Sequence, residues 1–226
     1  MPAGCHKSWS RINLNPSPIS NKIYLSWRYI EMELTAQKAK LRAHFLNARS
    51  KMPPEYRQKL SNAVCQTLKK VVINQKAKSI HGFIPFGAEV DILPFLRFCL
   101  ESNLTVVTPK IQKKPEMLHL ITPNLDDLEK NKFGIKETNS STIFEGHYDL
   151  ILVPGVVYDQ LGYRIGYGGG YYDYFLKQNA NALKIGVGFP MQYIENVPRE
   201  NHDIAVDQLV LGARVFKIKS QNNLKN

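Results

Sequence analysis

A cluster of glycines near residue 168 constrains the fold of this chain more than any other feature of the sequence. The segment RIGYGGGYYDYFL, residues 164–176, places four glycines, an arginine and an aspartate within ten residues. Glycine has no Cβ, so its backbone adopts positive φ and its N–H group approaches an anion closely. An apolar run at residues 149–159 predicts a buried strand before the cluster, and residues 171–178 have helical character. The sequence therefore predicts a phosphate-binding loop between a strand and a helix N-terminus.

Two common phosphate-binding motifs are absent from this loop. No Gly-Lys-Ser/Thr follows the glycines, which excludes a Walker A loop, and GYGGG lacks the G-x-G-x-x-G spacing of dinucleotide-binding loops. A tight turn without function is the alternative, but such a turn needs roughly one or two glycines and neither the arginine nor the acid. We therefore interpret Arg164 as a fork of donors for phosphate oxygens and Asp173 as a ligand for a divalent cation.

The loop resembles the signature of the 5-formyltetrahydrofolate cyclo-ligase family, which runs close to R-L-G-x-G-x-G-Y-Y-D. Further segments resemble this family in the same order along the chain. They are KAKLR (residues 38–42), FIPFGAEVD (residues 83–91), FGIKE (residues 133–137) and VPRENHDIAVD (residues 197–207). The sequence departs from the family pattern at Thr138, where proline is usual, and at Leu211, where threonine often stands. The resemblance still covers most of the chain.

The resemblance implies an enzyme that cyclises 5-formyltetrahydrofolate to 5,10-methenyltetrahydrofolate at the expense of ATP. In the family mechanism the N5-formyl oxygen attacks the γ-phosphate, N10 closes on the activated carbon, and phosphate leaves. ATP and Mg²⁺ are the implied cofactors. The implied partner is this small-molecule folate, with or without a polyglutamate tail. We expect a monomer that binds neither nucleic acid nor a membrane.

The same resemblance assigns roles to individual residues. ATP is expected to contact Lys38, Ala39, Lys40, Leu41, Arg42, Arg164, Ile165, Gly166, Tyr167, Gly168, Gly169, Gly170, Tyr171 and Tyr172. The folate is expected to contact Ile84, Glu89, Tyr167, Gly168, Gly169, Gly170 and Tyr171. Asp173 and Asp203 are the expected magnesium ligands, and Arg164 and Tyr172 are the candidate catalytic residues.

Spacing alone leaves other interpretations open for several of these residues. Lys38 and Arg42 are four apart and share a face of a predicted helix, which without the resemblance would indicate an ordinary solvated face. Glu89 follows an apolar run and fits a solvated strand end as well as a folate contact. A lone His-Asp pair such as that containing Asp203 is more often structural. The resemblance is what favours the functional interpretation in each case.

Helical and strand patterns alternate along the chain, which predicts an α/β fold. We expect a three-layer sandwich with a mostly parallel central sheet, similar to the sugar-isomerase and coenzyme A transferase-like folds. The predicted helices are residues 34–50, 55–73, 92–101 and 171–178, and the predicted strands are residues 79–85, 104–108, 118–122, 150–154, 184–188 and 208–215. Ligands of such sheets bind at the carboxyl ends of the strands, where the loops after Pro85 and Pro154 fall.

Composition fits one catalytic domain, which we place at residues 35–226, since 43% of the 226 residues are hydrophobic. Residues 1–34 are expected to form a disordered leader, with Met32 as a candidate natural start. The leader is basic and rich in serine, as transit peptides are, so an organellar location is the alternative to the predicted cytoplasmic one. Three cysteines without C-x-x-C spacing indicate neither a disulfide framework nor a cysteine zinc site.

The net charge of +11 leaves room for other functions. An RNA-associated basic protein would bind with steep salt dependence, but the lysines are scattered and no recognition motif accompanies them. A non-catalytic domain that senses a phosphorylated metabolite through the same glycines would consume no ATP. An enzyme for ATP and a folate with an anionic tail has its own reason to be basic.

Overall fold

A seven-stranded sheet organises this protein, in a computed structural model that describes residues 18–131 and 134–218, with side chains from Met32 onward. The strands are β1 (Ser79–His81), β2 (Thr105–Ile111), β3 (Met117–Ile121), β4 (Leu128–Lys130), β5 (Lys136–Thr138), β6 (Leu150–Pro154), β7 (Val157–Asp159), β8 (Arg164–Ile165), β9 (Leu183–Gly188), β10 (Tyr193–Ile194), β11 (Gln208–Leu211) and β12 (Arg214–Lys217). The large sheet has the order β12-β11-β9-β6-β1-β2-β3. Its five inner strands are parallel, and both edge strands run antiparallel to their neighbours.

Helices cover both faces of this sheet. The helices are α1 (Pro18–Ser50), α2 (Pro54–Gln75), α3 (Leu93–Glu101) and α4 (Tyr171–Gln178), with a short 3-10 helix at Pro190–Gln192. Along β6, Leu150 and Leu152 pack with α2 and α3 on one face, whereas Ile151 and Val153 pack with Phe175 of α4 on the other. All four strand side chains are fully buried, as expected for a parallel strand covered on both sides. The predicted layered α/β fold is confirmed.

The chain divides into two compact units, Met1–Ala36 and Gln37–Asn226. In the first unit the described backbone, residues 18–36, is helical and belongs to α1. The second unit contains the remainder of α1 and all the other elements. None of the helices in the described part of the chain combines the length and the apolar character needed to cross a bilayer.

A smaller sheet of order β10-β7-β8 lies at the end of the large sheet and leads into the glycine loop. Tyr158 of β7 is fully buried, and its hydroxyl lies 2.8 Å from the Val153 carbonyl oxygen and 2.9 Å from that of Val187. A Cβ at Gly186 would lie 2.7 Å from the Tyr158 ring, so the approach requires glycine there. Phe45 of α1 packs against Val157 on the other side of this small sheet. These contacts hold α1 and β8 beside the same loop.

Most of the predicted elements are confirmed, and β6 and α4 have the predicted bounds. The single strand predicted at residues 208–215 is wrong, because the chain turns at Gly212 with φ +63° and forms the antiparallel pair β11 and β12. Helix α1 begins at Pro18 rather than at Leu34. The N–H groups in the first turn of a helix have no partner within the helix. Proline, which lacks this group, is therefore tolerated at the start of α1.

The domain limits, residues 1–34 and 35–226, stay predictions, as does the start at Met32. Residues 1–17 of the expected leader lie outside the described residues, as does Phe133 of the FGIKE segment.

Candidate active site

A cavity of about 490 Å³ lies at the carboxyl ends of β1, β2 and β6. Its apolar lining includes Ile84, Phe86 and Ile111, and the glycine loop, residues 166–170, and Glu89 also line it. This is the end of the sheet where the parallel topology predicts a ligand. The structure therefore brings the predicted loop and the predicted folate residues to one cavity.

Two of the loop glycines adopt backbone conformations that side chains disfavour. Gly168 has φ +91°, and Gly170, which caps α4, has φ +72°. Gly166 and Gly169 lie outside this left-handed region. A Cβ at Gly169 would instead lie 2.5 Å from the Tyr171 ring, so a larger residue there needs that ring to move. The requirement for glycine thus has a different cause at different positions of the loop.

Arg164 and Asp173, the predicted phosphate and metal ligands, contact each other. Arg164 is buried in β8, and its Nη2 lies 2.9 Å from Oδ1 of Asp173. Its Nη1 donates to the carbonyl of Ile204 at 2.6 Å, and the Ile204 N–H donates to the same Oδ1 at 3.0 Å. This network ties the start of α4 to the segment before β11. Arg164 also lines the cavity, so its structural contacts leave it facing the ligand space.

Lys38 and Asp203 form a second pair of the same kind. The Lys38 Nζ lies 2.7 Å from Oδ2 of Asp203 and 2.6 Å from Oε2 of Glu200, a residue that the sequence did not single out. Burial alone would lower the pKa of Lys38, but hydrogen bonds and charge from the two carboxylates outweigh it, so the pKa is raised. Side-chain ligand atoms of Glu200, His202 and Asp203 lie within 4.8 Å of one another.

In the rest of the KAKLR segment, Arg42 contacts the glycine loop, and the other residues lie away from the cavity. Arg42 donates from Nε to the Gly166 carbonyl at 2.8 Å, and its guanidinium lies about 3.5 Å from where a Cβ at Gly168 would be. Lys38 and Arg42 therefore both reach the site from one helix face. Ala39 and Lys40 are exposed and Leu41 packs in the apolar cluster around Phe45, so their role in ATP binding stays a prediction.

Glu89 lines the cavity from the segment after β1 and accepts a hydrogen bond from the Phe86 N–H at 2.9 Å. Burial raises its pKa, against the opposing effects of that N–H, of the Arg49 charge and of a hydrogen bond from the Tyr167 hydroxyl. Burial likewise raises the pKa of Tyr167 to about 12, so its hydroxyl keeps the proton it donates.

Arg49, like Glu200, is a residue at this site that sequence reasoning missed. It is 3% exposed, and its Nη2 donates a hydrogen bond to the Tyr167 hydroxyl. It lies seven residues after Arg42, or two helical turns along the same face. That spacing is the signal in the sequence that would have identified it.

The remaining predicted residues occupy different surroundings. Tyr171 and Tyr172 line the cavity, whereas Ile165 is buried in the cluster around Phe45 and does not. The Tyr172 hydroxyl is buried and has no hydrogen-bond partner in the described part of the chain, and burial raises its pKa. An unpaired buried hydroxyl facing a cavity is suited to bind a polar group of a ligand.

Comparisons with known proteins agree with this arrangement. The model of the 5-formyltetrahydrofolate cyclo-ligase family matches residues 34–212. A 5-formyltetrahydrofolate cyclo-ligase of Haemophilus influenzae is 24% identical over 185 residues, covering 79% of this chain and 99% of the relative. A 5-formyltetrahydrofolate cyclo-ligase of Mycolicibacterium smegmatis is 27% identical over 187 residues, covering 78% of this chain and 94% of that relative.

Solved structures give the same result. The chain is similar to the NMR structure of Aquifex aeolicus 5,10-methenyltetrahydrofolate synthetase, with a TM-score of 0.71, 33% identity and coverage of 81% of this chain and 93% of that one. The structure of a 5,10-methenyltetrahydrofolate synthetase from Mycoplasma pneumoniae matches with a TM-score of 0.62 at 23% identity, covering 78% of this chain and 99% of that one. This second match supports the fold.

Proposed function

The chain belongs to the 5-formyltetrahydrofolate cyclo-ligase family and carries out its reaction, and we propose that it does so in the cavity between the glycine loop and Glu89. The product is 5,10-methenyltetrahydrofolate. One observation carries the placement of this site: a single cavity is lined by the loop suited to phosphates and by the carboxylate suited to a pterin ring. The family is ATP-dependent in general, which fits the loop.

The chemistry requires a better leaving group than the formyl oxygen. That oxygen forms a bond to the γ-phosphorus of ATP as the bond to the bridging oxygen breaks and ADP leaves. N10 then attacks the activated formyl carbon and loses its proton, and the carbon–oxygen bond breaks to release phosphate. The protein's contribution to such a phosphoryl transfer is mainly positioning and charge stabilisation.

The phosphates are proposed to lie on the loop, between its amides and three cations. Arg42 is held at the loop by its hydrogen bond to Gly166, and Arg164 lines the cavity. Lys38 would contact the phosphates as the third cation if a phosphate oxygen replaced one of the two carboxylates that it now pairs with. Cationic donors that face the transferred group stabilise the charge that develops on it.

The donor set at Asp173 and Asp203 fits magnesium. Among the described residues, hydrogen bonds reach Oδ1 of Asp173 and Oδ2 of Asp203, and the second oxygen of each carboxylate accepts none. Mg²⁺ takes oxygen ligands, often one or two carboxylates together with phosphate oxygens. Magnesium bound there would supply charge neutralisation at the phosphates, while the ion pairs with Arg164 and Lys38 orient the two carboxylates.

The folate is proposed to place its pterin ring against Glu89 and the apolar wall at Ile84 and Phe86. A carboxylate accepts hydrogen bonds from the donor-rich pterin edge. The Tyr172 hydroxyl is available to a polar atom of the substrate. Lys114 and Lys136 on the cavity rim suit an anionic glutamate tail.

Turnover of 5-formyltetrahydrofolate tests the function directly. Absorbance of the methenyl product should grow only when protein, ATP and Mg²⁺ are all present, and ADP should form in equal amount. Equal turnover after chelation would remove the magnesium assignment. Folate-independent ATP hydrolysis, or no turnover, would contradict the function. We further propose a monomer acting in the cytoplasm, which gel filtration and tagging of the full chain would check.

A further inference from the structure

Arg49 is a buried cation outside the set of residues that the proposed mechanism uses. It is 3% exposed and lies in the last turn of α1. In the described part of the chain no carboxylate lies within 4.0 Å of its guanidinium, and its Nε has no hydrogen-bond partner. A buried charge is costly unless nearby groups compensate for it. Its retention at this position therefore needs an explanation.

The compensation comes from Tyr167. Nη2 of Arg49 donates to the Tyr167 hydroxyl, and the guanidinium carbon lies 5.8 Å from the centre of the Tyr167 ring. Tyr167 and Glu89 line the same cavity, and the interaction with Tyr167 opposes the rise that burial causes in the pKa of Glu89. Tyr167 therefore lies between the Arg49 guanidinium, from which it accepts a hydrogen bond, and the Glu89 carboxylate, with which it shares the cavity wall.

The cavity linings separate Arg49 from the proposed ligand space. Glu89 lines the large cavity and Arg49 does not. Arg49 lines a separate cavity of about 380 Å³ on the other side, and Tyr167 and Phe86 line both. Tyr167 is thus the wall between Arg49 and the ligand space.

We infer that Arg49 is a positioning residue for the folate: it fixes the Tyr167 hydroxyl and, through it, the Glu89 carboxylate at the end of the large cavity. This inference rests on the proposed function for the identity of the ligand. Tyr167 belongs to the glycine loop, so the same contact joins α1, the loop and the segment after β1. Loss of Arg49 should release Glu89 while leaving the phosphate contacts of the loop in place.

Calorimetric binding of 5-formyltetrahydrofolate to the full chain, without ATP, tests the inference. Arg49→Met should raise the dissociation constant about tenfold, and Arg49→Lys, which keeps the charge and a donor, should recover part of the loss. Tyr167→Phe, which keeps the ring, should reproduce the effect of Arg49→Met. Arg97→Met, at an exposed arginine paired with Asp126, is the matched control and should leave folate binding unchanged.

A double-mutant cycle distinguishes positioning from general support of the fold. If Arg49 acts through Glu89, adding Arg49→Met to Glu89→Gln should cost less than about twofold in folate affinity, whereas independent effects would multiply. In turnover, Arg49→Met should raise the folate KM and change the ATP KM less than twofold. The inference would be overturned if the fold-losses of folate affinity in the two single variants multiplied in the double variant, or if the KM values for folate and ATP rose equally. If Arg49→Met does not fold, Tyr167→Phe and its cycle with Glu89→Gln decide the question.

These outcomes separate the inference from the proposed function. A protein that binds the folate with a non-additive cycle but produces no methenyl product keeps the inference and loses the function. A protein that turns over normally with an additive cycle keeps the function and loses the inference.

Discussion

The two ends of the cavity satisfy their charged side chains in opposite ways. At the glycine loop, Arg164 pairs with Asp173 in the cavity lining, and Lys38 pairs with Asp203 outside that lining. At the folate end, Arg49 donates a hydrogen bond to the neutral Tyr167 hydroxyl, and Tyr167 lines the cavity together with Glu89. Charge is therefore balanced directly at one end and through a neutral group at the other. A ligand at the loop would exchange partners with existing ion pairs, whereas in the described part of the chain no cation forms an ion pair with Glu89, the carboxylate proposed to bind the pterin.

Replacing Arg164 should have the largest effect, because it breaks a buried pair. Arg164→Met removes the ion-pair partner of Asp173 and the donor to the Ile204 carbonyl, and removal of one member of a buried ion pair costs about 3–5 kcal/mol of folding free energy. Chemical denaturation measures that loss, and kcat/KM should fall by about a hundredfold or more. Arg97→Met breaks an exposed pair and should change stability by less than about 1 kcal/mol. Similar losses of folding free energy in Arg164→Met and Arg97→Met would contradict the distinction between the buried and the exposed ion pair.

Glu89→Gln should act on the folate end alone. It removes the charge proposed to accept hydrogen bonds from the pterin, a contribution of about 1.5–3 kcal/mol, so the folate KM should rise roughly tenfold or more. The ATP KM should stay near that of the unmodified protein, because no phosphate contact changes. Steady-state kinetics with each substrate varied in turn makes the comparison. An equal rise in both constants would mean that the two ends of the cavity are not separate.

The loop glycines should show a graded effect on ATP affinity. Gly168→Ala and Gly170→Ala force a side chain into the left-handed region, which costs roughly 1–2 kcal/mol, so ATP affinity should fall about five- to thirtyfold. Gly169→Lys should retain more affinity, provided that the Tyr171 ring can move. Calorimetry with ATP measures all three. If they prove equally harmless, the loop is a structural turn.

Lowering the pH should give the smallest effect near neutrality, and it should appear in the folate KM. Burial raises the pKa of Glu89, so the carboxylate that binds the pterin is present above that pKa and is lost as the pH falls through it. The folate KM should therefore rise with acid, at most about tenfold per pH unit. Glu89→Gln, which does not titrate, should flatten this dependence. A profile unchanged by that substitution would assign the titration to another group.

The fold was largely predictable because its central strands are continuous apolar runs. Leu150 to Pro154 is buried on both faces, and only a covered strand accommodates that pattern. The pair β7 and β8 was missed because strands of two or three residues show no periodicity. Gly212 follows β11 directly and is a turn signal in the sequence, which a single strand over residues 208–215 overlooks.

The site was predictable as a set of residues but not as a set of contacts. The family resemblance identified Lys38 and Asp203, yet 165 positions separate them, and their pairing depends on how α1 lies against the segment before β11. Arg49 carries no motif of its own, and its contact with Tyr167 spans 118 positions. Local sequence patterns do not record such contacts, because tertiary packing alone creates them.

The antiparallel edge of the large sheet has a consequence for how copies of this protein meet. Strand β12 has four residues, with Arg214 at its start and Lys217 at its end, so its unpaired backbone groups are few and flanked by positive charge. A second β12 approaching it would bring like charges together, which disfavours sheet-to-sheet addition. The same edge therefore lowers the tendency of the protein to aggregate at high concentration.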